Sequence, residues 1–168
     1  LPELYREMTF ERFQVTPGTK EAYKAAEEFA HKGGQKGIVL AGPPGVGKSH
    51  LASAIMNVKA SRCEEFIFCT SPDLMDDIKA ALDSKQQSTE LMELVKNVDL
   101  LFLDDLGAER TTDFVIERFF IILNARLVQK KLTIITTNYS RPSELIEKLG
   151  GGITGQRIVS RICEMCRW

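Results

Sequence analysis

Four short apolar runs punctuate this chain: GIVLA at 37–41, EFIFCT at 65–70, DLLFL at 99–103 and LTIITT at 132–137. Each is rich in β-branched or aromatic residues and bounded by polar segments, the pattern of strands buried on both faces of a parallel sheet. Between them the periodicity becomes helical. SHLASAIMNVKA follows the first run, and SPDLMDDIKAAL follows the second with Ser71 as its expected cap and Pro72 at its first helical position. DFVIERFFIILNARLVQ puts Ile116, Phe119, Phe120, Leu123 and Leu127 on one face. Strands alternating with helices predict an α/β fold with right-handed crossovers. Residues 1–36 are polar and mostly helical: Ala22, Ala25, Ala26 and Phe29 recur at helical spacing, and Gly33-Gly34 ends the segment. The expected division is an N-terminal lead-in and helix over 1–36, then one core over 37–168.

Composition narrows the class. A chain of 168 residues is one domain that buries roughly two thirds of its unfolded surface. With 43% hydrophobic and 27% charged residues it is ordinary globular material. No apolar run approaches the roughly 18 residues of a membrane span and no signal peptide opens the chain, so a cytoplasmic setting without membrane contact is expected. The start at Leu-Pro rather than Met marks an expected fragment of something longer. The formal charge of −1, from 22 basic against 23 acidic residues, lacks the excess of a protein that grips duplex DNA. Cys63, Cys69, Cys163 and Cys166 make no disulfide framework, and Cys163-x-x-Cys166 lacks the further ligands zinc needs, so these cysteines read as structural.

Chemistry enters at GPPGVGKS, 42–49, which follows a predicted strand and opens a predicted helix. Gly42, Gly45 and Gly47 let backbone N–H groups turn inward around phosphates, and the helix N-terminus adds its partial positive charge. Lys48 is suited to the β- and γ-phosphates and Ser49 to Mg²⁺. Nucleotide binding is therefore assigned to Gly42, Pro43, Pro44, Gly45, Val46, Gly47, Lys48, Ser49 and His50, with His50 expected to pack rather than react. LLFLDDLG, 100–107, delivers Asp104 and Asp105 to the carboxyl end of a buried strand, where α/β sheets bind ligands. Asp104 fits the metal shell beside Ser49, and Asp105 fits the orientation or deprotonation of water. TIITTNYS ends a further strand in Asn138, which would face the γ-phosphate if that strand lies between the other two. A small-molecule kinase needs a lid carrying several arginines. The helix after the acidic strand is apolar with one inward-looking charge, Arg126, so hydrolysis is favoured over transfer to a metabolite.

On these residues the sequence resembles the AAA+ ATPases, and among them bacterial replicative-helicase loaders of the DnaC and DnaI kind. LPELYREMTFERF looks like the segment before the ATPase core of such loaders. The likeness continues through GPPGVGKSHLA, CTSPDLMDDI, LLFLDDLGAER and LTIITTNYS to GQRIVSRI, nearly the whole chain. IstB-like transposition ATPases are similar over much of the same stretch.

The resemblance implies a three-layer P-loop NTPase fold of the AAA+ (ASCE) type, strand order 5-1-4-3-2, with a reduced or absent helical lid. It makes Asn138 the first sensor. It gives RIVSR an arginine finger that reaches the nucleotide of a neighbouring subunit; Arg161 is the closer match, and Arg157, one turn away, shares its helix face. It implies ATP/ADP and Mg²⁺ as cofactors, self-assembly into a ring or spiral, single-stranded DNA as a ligand, and a hexameric replicative helicase bound through a region upstream of this sequence. In the initiator and loader branch an extra helix after the second strand lines the DNA channel. SPDLMDDIKAALDSKQQSTELMELVKN, 71–97, is long enough for two helices with a polar break at Asp83–Ser88, though Lys79 and Lys85 bring little charge and an ordinary crossover is the plainer reading.

Three departures qualify this. Asp105 stands where many AAA+ proteins have Glu, the chain stops at Trp168 about where a fifth strand should run, and no lid or second sensor arginine follows. The sheet edge beside the first strand is therefore expected to be lost. The alternatives are an IstB-like transposition ATPase, a nucleotide-dependent interaction module that hydrolyses little, and a small-molecule kinase.

Overall fold

Apolar runs too short to cover themselves must be covered on both faces, and the computed structural model, which describes residues 1–32, 36–60 and 65–168, covers them with helices. Gly33-Gly34, expected to end the first long helix, and Cys63 lie outside the described residues. In order the elements are α1 (Glu3–Arg6), α2 (Lys20–Lys32), β1 (Gly37–Ala41), α3 (Lys48–Ala60), β2 (Phe66–Thr70), α4 (Ser71–Ala80), a 3₁₀ turn (Ala81–Asp83), α5 (Lys85–Asn97), β3 (Leu100–Asp104), α6 (Asp113–Val128), β4 (Leu132–Thr137), α7 (Pro142–Lys148), α8 (Gly152–Met165) and β5 (Cys166–Arg167).

The strands form one parallel sheet in the order β2-β3-β4-β1-β5, which is the expected 5-1-4-3-2 read from the other edge. The edge beside β1, expected to be lost, instead carries β5, with Gly37 opposite Cys166 and Ile38 opposite Arg167. β1, β3 and β4 are almost wholly buried, whereas β2, at the opposite edge, is only half-buried along its length. Successive strand residues feed two cores. Ile38, Leu40, Leu100, Phe102 and Ile134 meet α2 and α3, while Val39, Leu101, Leu103 and Ile135 meet the helices of the other face. This is a three-layer arrangement.

Two junctions differ from expectation. Thr70, not Ser71, caps α4 by accepting from the Asp73 N–H at 3.2 Å. Ser71 is drawn inward, where its Oγ donates to Glu109 at 2.5 Å. The segment 71–97 does form two helices, but the break falls at 81–84, ahead of the expected Asp83–Ser88, because Ser84 caps α5 through the Gln87 N–H.

On α6 the apolar face is as predicted, with Ile116, Phe119 and Leu123 buried and Phe120 and Leu127 partly so. Arg126 is completely buried. Its guanidinium donates to the carbonyls of Val95 (2.8 Å), Val98 (2.9 Å) and Leu132 (2.5 Å) and to Thr133 Oγ1 (3.0 Å). The carbonyls of Val95 and Val98 belong to the end of α5, where a cation offsets the helix dipole and satisfies orphan acceptors. Burial still pulls this guanidinium down to about 10. Among the described residues, no helix is long and apolar enough to cross a membrane.

Candidate nucleotide site

The carboxyl ends of β1, β3 and β4 meet at one place, and Lys48, Ser49, Asp104, Asp105 and Asn138 of the residues singled out by sequence lie there. The loop 42–47 leaves β1 through a hydrogen bond from the Gly42 N–H to the Thr137 carbonyl of β4, 3.2 Å. Gly45 and Gly47 take φ of 81° and 94°, angles that only glycine adopts without strain. The chain then enters α3 at Lys48, so the first N–H groups of that helix open toward the loop.

Lys48 is buried, and its Nζ donates to Pro43 O at 2.9 Å and Asn138 Oδ1 at 2.8 Å. Burial lowers its pKa from the ordinary 10.5, against the pull of Asp105 and Asp104, so the ammonium is poised to exchange neutral acceptors for anionic ones. Ser49 Oγ donates to Asp104 Oδ1 at 2.9 Å, and Thr136 Oγ1 donates to the same oxygen. Burial raises Asp104 above its ordinary 3.8, while those two hydroxyls and Lys48 pull the other way. One carboxylate and one hydroxyl held together beside a glycine loop are hard oxygen donors, the set that suits Mg²⁺ with phosphates. Among the described residues no group of three or more His, Cys, Asp or Glu side chains that could hold a metal ion occurs.

Asp105 follows at φ 56°, its N–H bonded to Thr136 Oγ1 at 2.8 Å. Asn138 is exposed at the end of β4, which lies between β1 and β3 as its assignment required. A cavity of about 640 Å³ opens beside the loop, lined by Thr16, Ala22, Ile38, Gly42, Val46 and Trp168 among others. The volume suits a nucleoside. The side chain of His50 turns away from this cavity, with Nε2 at 2.8 Å from Thr9 O and the ring edge-on to Phe13, so it packs as expected.

Arg161 and Arg157 are not brought to this cluster. They share one face of α8 and lie over the Phe120 ring, 5.7 and 4.4 Å from its centroid, with Arg161 Nε donating to Asn124 Oδ1 at 3.0 Å. The sequence reading missed three residues. Thr136 ties both acids to β4, and two adjacent hydroxyls at a strand end were its only signal. Glu109 is buried in the loop after the acids, taking bonds from Ser71 Oγ and the Gly107 N–H on Oε2, while Oε1 has no hydrogen-bond partner. Tyr5, from the lead-in, packs its ring on Phe68 of β2 next to the acidic strand, centroids 4.5 Å apart, and nothing in the sequence marks that contact.

Comparison with known proteins agrees with this geometry. The family described as the bacterial DnaA ATPase domain matches residues 4–161. The replicative helicase loader DnaC of Buchnera aphidicola subsp. Baizongia pistaciae is 30% identical over 167 residues, which cover 95% of this chain and 65% of that protein. The chain thus spans less than two thirds of the length of that relative. A crystal structure of DnaI superposes with a TM-score of 0.86 at 28% identity, covering 99% of this chain and 92% of the other. The replication initiator DnaA bound to AMPPCP and single-stranded DNA gives a TM-score of 0.79 at 27% identity over 95% of this chain and 48% of the other. The chain belongs to the bacterial DnaA ATPase-domain family and, within it, resembles the DnaC and DnaI helicase loaders.

Proposed function

We propose that this chain is an ATP-hydrolysing AAA+ domain of a DnaC/DnaI-type helicase loader, working in the bacterial cytoplasm at the primosome stage of DNA replication. The observation that carries this is the joining of the glycine loop to the acidic strand, through Ser49 and Asp104, and to the end of β4, through Lys48 and Asn138. In this reading Lys48 gives up Pro43 and Asn138 for the β- and γ-phosphates, and the loop N–H groups hold the remaining phosphate oxygens. Ser49 and Asp104 hold Mg²⁺, which when bound supplies positive charge to the phosphate oxygens. Asp105 accepts a proton from the attacking water or orients it, and Asn138 fixes the position of that water. Arg161, remote from Lys48 in its own subunit, serves the site of a neighbour in a ring or spiral. Nucleotide state then sets affinity for single-stranded DNA and for a hexameric helicase, by linkage between sites. The DnaA neighbour solved with AMPPCP and single-stranded DNA supports the first of these ligands.

Calorimetry with Mg²⁺·ATP tests the core of this reading. The full chain is expected to bind, and Lys48→Ala to lose at least about tenfold in affinity, because a charge-assisted contact is worth roughly 1.5–3 kcal/mol. Equal heats from the two proteins would sink it. An IstB-like role shares this chemistry, and co-purification of a transposase rather than a helicase would select it.

A further inference from the structure

α6 and α8 lie side by side because their apolar stripes share one core: Ile116, Phe119 and Leu123 of the first join Ile158, Val159 and Ile162 of the second. Phe120, next in the chain after Phe119, falls at the margin of that stripe and is only partly buried. Its ring is therefore within reach of what α8 carries at the same margin. There α8 carries Arg157, which is exposed, and Arg161, which is half-buried, one turn apart on one face.

Both guanidiniums use that ring. Arg157 Cζ stands 4.4 Å from its centroid and Arg161 Cζ 5.7 Å, each within the range of a cation–π contact. One turn further along α6, Asn124 Oδ1 accepts from Arg161 Nε at 3.0 Å. That bond spends the Nε–H alone, and among the described residues the Nη–H groups of Arg161 make no hydrogen bond. Neither arginine has an ion-pair partner among the described residues. Glu117 lines the same groove of about 250 Å³ with Arg157 and Phe120, but its carboxylate is taken by Arg118 at 3.0 Å.

The groups that hold these arginines are thus neutral. A guanidinium paired with a carboxylate must give up that partner before it can reach a phosphate, whereas a ring and an amide oxygen fix its direction and leave its charge to act elsewhere. Arg126 of the same α6 is the contrast: it is completely buried, and all three of its guanidinium nitrogens donate to groups inside the subunit.

We propose that Phe120 and Asn124 are positioning residues for the arginine that completes a neighbour's site: the ring bears Arg157 and Arg161 together, and the Asn124 amide turns Arg161 so that its Nη groups meet the γ-phosphate held by the adjacent subunit. A guanidinium held in advance need not be ordered when the subunits meet, and a misplacement of about 1 Å in such a group can cost about 10²-fold in rate. This inference rests on the shared-site reading of Arg161 above and adds to it two residues of α6, a helix that carries neither the phosphate loop nor the finger.

The test asks which subunit needs the platform. Full chains carrying Lys48→Ala and Arg161→Ala are mixed in equal amounts with DNA and helicase, so that restored hydrolysis comes from interfaces where the first supplies the arginine and the second the loop. Phe120→Leu is then added to one partner or the other. In the Lys48→Ala chain it is expected to lower the restored rate about tenfold, and in the Arg161→Ala chain to change it by no more than about twofold. Asn124→Ala should show the same asymmetry, and decides the matter if Phe120→Leu does not fold. Phe120→Tyr retains the ring and should retain the rate in both placements. Residues that only pack α6 against α8 would lower the rate equally from either partner, and that result overturns the inference, as does no loss from either. No recovery by the parent pair, in a preparation shown to assemble, overturns the shared site and this inference with it. Recovery by the parent pair without the asymmetry overturns this inference alone.

Discussion

Asp105 sits at φ 56°, a left-handed angle that short polar side chains tolerate better than longer ones. The departure from Glu at this position, visible in the sequence as a missing methylene, thus meets a backbone that accommodates Asp. Asp105→Asn preserves that backbone and removes the base. It is expected to keep ATP affinity and to lower single-turnover hydrolysis by about 10²–10⁴-fold, the usual contribution of general base catalysis. An unchanged rate would remove Asp105 from the mechanism. Asp104 leads to a prediction about stability. Its folded-state pKa lies above the ordinary 3.8, chiefly through burial, so the folded protein binds this proton more tightly than the unfolded chain does. The contribution is therefore favourable below 3.8 and lost as pH rises through the folded-state value; at neutral pH the buried charge is a cost. Asp104→Asn should raise Tm of the nucleotide-free protein at pH 7, and this gain should vanish below the ordinary carboxylate range. A Tm that falls at pH 7 would show that the hydroxyl bonds outweigh the burial. At this scale the sequence was most legible where spacing within one segment carries the chemistry, as in Lys48 and Ser49. It was least legible where partners lie far apart in the chain: Tyr5 meets Phe68 and Ser71 meets Glu109 only after the sheet has formed.

Among the elements, β1 and β4 match the apolar runs residue for residue, because a fully buried parallel strand tolerates few polar positions. β2 was read as equally buried and is not, since apolar composition does not reveal that a strand lies at an edge. The cap of α4 was misplaced by one residue for a tertiary reason: either Thr70 or Ser71 can cap, but Ser71 is recruited by Glu109. Arg126 was visible as a charge on an apolar face, although its partners were not. They are main-chain carbonyls of α5 and β4, a set no local pattern encodes. Arg126→Met should destabilise the protein by about 3 kcal/mol or more in urea titrations, because several buried acceptors lose their donor at once. Arg126→Lys should recover part of that loss. A destabilisation below about 1 kcal/mol would mean that water replaces the guanidinium freely.

For the molecule as a whole, the sheet order places Lys48, Asp104 and Asn138 together and puts Arg161 on a helix that packs against α6. In the proposed reading Arg161 serves the loop of a neighbouring subunit, since in its own it is held against Phe120 and Asn124. Lys48→Ala and Arg161→Ala, each in the full chain with DNA and helicase present, should be nearly inactive alone. An arginine finger contributes about 10³–10⁵ in related NTPases, so mixing the two variants should restore a measurable part of the rate through mixed interfaces. No recovery in a preparation shown to assemble would dismiss the shared site. The hairpin of α4 and α5 has its two feet clamped in different ways. Ser71 fastens the first to the loop that follows Asp104 and Asp105, and Arg126 fastens the second to α6 and β4. Between the feet the crest at 81–84 stands out with Leu82 half exposed. The hairpin is an arch on two abutments, and one abutment is the masonry around the acids. A displacement of the crest is expected to reach the loop after Asp105 through Ser71 and Glu109, and Ser71→Ala is expected to cut that path.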